Sequence, residues 1–178
     1  FAIGKGKSLF PDWMRINVEV RLELEFADGA VATGASADWP SFGWLDKRTD
    51  VPPRKKLKEL LQLIQFAGET YLSQSRFKPP FEAWWTARNE FLKSEVARTA
   101  VPLCGSFALA LTERALIDAF CRGQQLTFHQ ALKSDGLGFR PERIHSRLKG
   151  FDYPSRLPNA PTSRVAIRHT VGLNDPLT

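Results

Sequence analysis

"NVEVRLELEF", Asn17 to Phe26, alternates without a break. Val18, Val20, Leu22, Leu24 and Phe26 fall on one side of an extended chain, and Glu19, Arg21, Glu23 and Glu25 on the other. That is the pattern of an antiparallel strand with one face on a core and one in water. "ADG" follows as a turn, Gly29 supplying the positive φ that a reversal needs, and "AVATGASA" returns as a second strand over 30–37. Gly34 interrupts the second pattern, which predicts either a bulge or the close approach of another backbone. Two strands are marginal alone, so a third is expected before Phe1 or within the first residues.

The hairpin runs into "DWPSFGWLDKRTDVPP", 38–53, a loop with two Trp, one Phe and three Pro. Trp39, Phe42 and Trp44 read either as a hydrophobic clasp on the domain or as the wall of a binding pocket. From Pro53 the apolar period changes to that of helices. The predicted spans are about 53–73, 80–95, 105–122, 127–134 and 141–149. Pro53 suits a first helical turn, and "PRKKLK", 53–58, reads as a solvated helix edge. The third span, "SFALALTERALIDAFCRG", is apolar on almost every side and is expected to be the most buried helix, with Gly123 as its left-handed cap. Arg114 and Asp118 lie four apart on it and are expected to form an internal ion pair that fixes helix packing, with a catalytic role the alternative. Thr127 caps the next helix. Three Pro without a period make 153–163 a linker, and "RVAIRHTV" then starts a strand at 164–178 whose sheet is not evident in the chain.

The composition, 43% hydrophobic and 25% charged over 178 residues, is that of a globular chain with a core. No apolar run nears the roughly 20 residues of a membrane helix, and no signal peptide stands near Phe1, so a cytoplasmic protein without membrane attachment is expected. The opening at Phe1 rather than Met leaves room for an earlier segment. Cys104 and Cys121 lack metal-ligand spacing and read as buried thiols. The net charge of +6 invites a nucleic-acid reading, but residues 1–46 carry 4 basic against 7 acidic residues and the excess lies beyond them. No zinc-finger, RNP-like or GxxG pattern accompanies it, and no nucleic-acid partner is expected.

The succession strand, "DG" turn, strand, aromatic loop "SADWPSFGWLDK", helices with "GSFALALTERALIDAFCRGQQLTFHQALKSDGLG", linker and "VAIRHTVG" resembles the enolase superfamily. The similarity is greatest to its mandelate racemase and muconate lactonizing branch, and its most specific part is "ERALIDAFCR" followed by "TFHQAL". The resemblance implies an α+β capping domain over 1–152, an antiparallel hairpin or meander followed by a helical bundle. It implies a 153–163 linker and, at 164–178, the first strand of a truncated TIM barrel. A whole barrel takes on the order of 200 further residues.

The parent enzyme would then be a Mg²⁺-dependent isomerase or lyase that abstracts a proton α to a carboxylate. The resemblance places the catalytic acid, the base and the Mg²⁺ ligands in later barrel strands, so none is expected here. What remains is specificity: loops "IGKGKSLFPD", 3–12, and "SADWPSFGW", 36–44, would shape a pocket for a small carboxylate substrate. Lys5 and Lys7 would attract it, or merely solvate their loop. Trp39, Phe42 and Trp44 would line the pocket, and one of His169 and Thr170, at the C-terminal end of the strand, would face it. The rival reading is a self-contained, non-catalytic module that binds a ligand or protein. An orphan strand also invites pairing with a second copy, so a homo-oligomer is among the expected states.

Overall fold

A computed structural model describes residues 16–76 and 79–168. The fold is mixed α+β. Among the described residues a two-stranded antiparallel sheet is accompanied by eight helices.

The sheet pairs β1 (Val18–Glu25) with β2 (Val31–Asp38) in unbroken register from Val18 opposite Asp38 to Glu25 opposite Val31. Glu19, Arg21, Glu23 and Glu25 are exposed, while Val18 is buried and Val20, Leu22 and Leu24 are half-buried, as the alternation requires. Gly29 turns the chain at φ 83°, between the Phe26 N–H bond to Ala30 O (2.8 Å) and its own bond to Phe26 O (2.9 Å). With no bulge in the register, Gly34 answers to close approach: a Cβ there would lie 2.1 Å from Ala115 O and 2.3 Å from Ala119 N. Both belong to α5 (Pro102–Gly123), the long helix on which the hairpin lies. This contact supplies what a two-stranded ribbon lacks by itself.

Between the sheet and α5 come α1 (Phe42–Leu45), α2 (Pro53–Leu72), α3 (Pro80–Lys93) and α4 (Glu95–Thr99). Pro53, Pro80 and Pro102 stand at N1 of α2, α3 and α5, where a missing N–H costs least. A single turn of helix thus replaces part of the expected loop, and the second expected helix divides at Ser94, whose hydroxyl accepts from Ala97 N. The main core joins Phe42 and Leu45 to Leu60, Leu63 and Ala67 of α2, Phe91 of α3, and Cys104, Ala108 and Leu109 of α5. On α2 the buried stripe runs through Leu60, Leu63 and Ala67, leaving Leu61 and Leu72 in solvent although the spacing places them on the core face.

Beyond α5 lie α6 (Phe128–Lys133), α7 (Pro141–Ile144), a 3₁₀ turn (Ser146–Leu148) and α8 (Tyr153–Arg156). Thr127 caps α6 in a full capping box with Gln130. Gly123 is not the left-handed cap: it closes α5 within the helix, and the positive φ falls at Gln125 (53°). Glycine serves there because a Cβ would strike the Phe26 ring at 2.2 Å. The expected linker is in part anchored structure. Lys133 Nζ donates to Pro154 O (3.0 Å) and Leu157 O (2.7 Å), His129 Nε2 meets Pro158 O at 3.0 Å, and Tyr153 Oη donates to Asp135 at 2.7 Å.

Residues 164–168 belong to no helix or strand, and Val165 and Ile167 are 83% and 97% exposed. The remainder of the expected 164–178 strand lies outside the described residues.

Candidate functional site

The aromatic loop is held at both feet. At its start Asp38 Oδ2 accepts from Arg114 Nη2 of α5 (3.1 Å), and Asp38 Oδ1 accepts from Trp39 N (2.8 Å). At its end Asp46 is buried and accepts from the Arg48 backbone N–H (3.1 Å) and from its guanidinium (2.7 and 2.9 Å). Arg48 also reaches Glu59 of α2 at 2.6 Å. Lys56, the last residue of "PRKK", is buried, and its ammonium donates to Asp46 O (2.9 Å) and to Arg48 O. The basic run is therefore not wholly a solvated edge: Arg54, Lys55 and Lys58 are exposed, whereas Lys56 turns inward to satisfy loop carbonyls. These groups border a pocket of about 290 Å³ that Cys104 also lines. The guanidinium of Arg48 holds the Asp46 carboxyl below the usual range, and burial pushes the Cys104 thiol up to about 11.

Held this way, the loop divides its aromatics between the two roles read from the sequence. Phe42, 3% exposed, is a core residue, so its expected place in a pocket wall is corrected: at the first position of α1 it points into the contact with α2 and α5. Trp39 is 50% and Trp44 74% exposed, and the Lys47 ammonium stands 5.8 Å from the Trp44 ring centre. A clasp of Phe42 and Leu45 thus leaves Trp39 exposed, and Trp44 exposed with Lys47 beside its ring. Such a surface can stack on a flat or apolar group and offer one cation to an anionic one.

The expected ion pair of Arg114 with Asp118 is not made. Arg114 is exposed and turns to Asp38. Asp118 Oδ2 accepts from Ala35 N of β2 (3.0 Å) and from Arg122 Nε (2.9 Å). One turn along α5 offers Asp118 a cation in either direction, and the strand edge decides for it by supplying Asp38 as the partner of Arg114. Beside these charges an open groove of about 720 Å³ runs over Ile117, Cys121, Leu126 and Phe128. Glu113, one residue from Arg114, has a carboxyl pushed up by burial.

Lys5, Lys7, His169 and Thr170 lie outside the described residues. Among the described residues no three His, Cys, Asp or Glu side chains gather where a metal ion could be held, and no helix is long and apolar enough to cross a membrane. The buried network of Asp46 and Lys56 escaped the sequence reading. The two are ten residues apart, on a loop and a helix, and share no periodic signal. Comparison of this chain with protein-family models, curated proteins and solved structures gives no match.

Proposed function

We propose that this chain is the substrate-specificity capping part of an enzyme resembling the mandelate racemase and muconate lactonizing branch of the enolase superfamily. In this reading the remainder of the enzyme abstracts a proton α to the carboxylate of a small acid, as a racemase, epimerase, cycloisomerase or dehydratase. The observation that carries the reading is the loop braced at Asp38 and Asp46, which spends Phe42 on the core and leaves Trp39 and Trp44 facing out. Bracing a loop at both ends while exposing its largest side chains leaves apolar surface in water, which is understandable if another surface or ligand covers it. Mg²⁺ would supply enediolate stabilisation in the whole enzyme. The described residues do not form a group that fits it, so no catalytic step is assigned to them.

The test is made on the product of the whole reading frame. Incubated in D₂O with Mg²⁺ and a panel of small hydroxy, amino and sugar acids, it should exchange an α-proton of at least one, and Trp44→Ala should raise KM for that acid more than it lowers kcat. A reading frame that supplies no acidic, strand-borne residues after Thr178, or a product that exchanges no member of the panel, would sink the proposal. A second reading, a self-contained ligand- or protein-binding module, is favoured by the open groove beside Ile117 and Phe128. It predicts binding by the 178-residue chain with no exchange by any longer product.

A further inference from the structure

Asp46 and Lys56 are buried opposite charges, each with a side chain 2% exposed, and holding the loop end accounts for both. It does not account for the pocket of about 290 Å³ that they border, which lies near the lower end of the roughly 300 to 1,000 Å³ of small-molecule sites. One wall is apolar, with Leu60 and Leu63 of α2, Val96 of α4, and Val101 and Cys104 at the start of α5. Burial raises the Cys104 thiol to about 11, so this wall carries no charge at neutral pH. The other wall holds Asp46, Arg48, Lys56 and Glu59, two anions and two cations that cancel. Their hydrogen-bonding capacity does not cancel. Lys56 donates to two carbonyls and stands 3.9 Å from Asp46 Oδ1, beyond hydrogen-bond reach, so one of its three N–H groups is unspent. The bonds of Arg48 run from its backbone N, Nε and Nη2, and the two N–H groups of Nη1 have no acceptor among the described residues.

We propose that this pocket binds a small uncharged molecule that carries a carbonyl or amide oxygen on an apolar body. The oxygen accepts from the unspent donors of Lys56 and Arg48, in hydrogen bonds strengthened by their charge. The body packs against Leu60, Leu63 and Val101. Charge decides against the alternatives. A carboxylate would meet Glu59 and Asp46, which Arg48 holds ionised, and an ammonium would meet Lys56 and Arg48. Either ion would add an uncompensated charge to a set that is already balanced, whereas an uncharged acceptor adds none. The site lies at the buried foot of the aromatic loop rather than at its exposed tryptophans, and it does not rest on the enzymatic reading.

Methyl NMR of the 178-residue chain tests it with three probes of nearly one size: benzamide, benzoate and benzylammonium. Benzamide should shift the methyl signals of Leu60, Leu63 and Val101, with a Kd of about a millimolar or tighter. The two ions should bind at least about tenfold more weakly at neutral pH. Val96→Phe, in the pocket wall at a position 41% exposed, should keep its helicity by circular dichroism and abolish the shifts. Lys56→Met, which keeps the stem and removes the donor, should weaken benzamide about tenfold. Should Lys56→Met fail to fold, Val96→Phe decides alone. No shift with benzamide at roughly ten times the expected Kd would overturn the proposal. So would either ion binding as tightly as benzamide, or unchanged benzamide binding in Val96→Phe or in folded Lys56→Met.

Discussion

At Gly34 a strand and a helix meet backbone to backbone. The virtual Cβ positions there leave no side chain to yield, only the Ala115 carbonyl and the Ala119 amide. Gly34→Ala must therefore separate β2 from α5, and it should cost about 3 kcal/mol or more, at or beyond the upper end of overpacking effects. Urea denaturation midpoints check this, with Gly29→Ala as a control that strains φ without a steric contact.

A second residue-scale prediction follows from two carboxyls with opposite shifts. Asp46 is held below its usual range by Arg48, so its contribution to stability is present above its unfolded value and is lost as pH falls through its folded one, from about 4 downward. Glu113 is raised by burial, so its contribution is present below its unfolded value and is lost as pH rises through the higher folded one. Asp46→Asn should flatten the acid limb of the stability curve, while Glu113→Gln should remove a decline above about pH 4. Acid limbs that superimpose for wild type and Asp46→Asn would contradict the first assignment.

Among the elements, those with an unbroken period were legible and those without were not. β1 was readable residue by residue because one face lies on α5 and the other in water, so period two is enforced along its whole length. α2, α5 and α6 were readable from their apolar spacing and from Pro53 and Thr127 at their starts. α1 and α8 are single turns in Pro-rich loops, too short for a period, and they exist through tertiary contacts that spacing cannot report. Phe42 shows the consequence for the site: three loop aromatics look alike in sequence, and only the packing against α2 and α5 separates the buried one from the two exposed ones. The partners of Arg114 and Asp118 were hidden for the same reason, being set by the register of β2 against α5.

The anchoring of α8 makes its own prediction. Its backbone carbonyls at Pro154 and Leu157 are both held by the one ammonium of Lys133, so Lys133→Ala should loosen 154–157, between the remaining anchors at Tyr153 and Pro158, while the main core stays intact. Trypsin cleavage after Arg156, which is exposed, should accelerate by roughly tenfold for each ~1.4 kcal/mol of local stability lost. An unchanged urea midpoint should accompany it.

For the whole molecule the deciding feature is that α5 runs through both hydrophobic clusters. Cys104, Ala108 and Leu109 in its first half belong to the main core with Leu60, Leu63 and Phe91. Cys121 near its end belongs to a smaller cluster with Ala131 and Leu137, against which Ile117, Phe120 and Leu126 pack. One continuous helix of 22 residues gives neither cluster a boundary at which to unfold separately, since loss of either exposes apolar surface on the same element. Leu60→Ala, at a site 1% exposed in the larger cluster, should cost about 2 to 5 kcal/mol. Leu137→Ala should cost less, because fewer neighbours surround it and the smaller cluster can collapse around the loss. Both substitutions should shift a single transition, with tryptophan fluorescence and far-ultraviolet circular dichroism superimposing in each. If Leu137→Ala instead splits the two probes, the smaller cluster unfolds independently and α5 frays at its C-terminal end without disturbing the core.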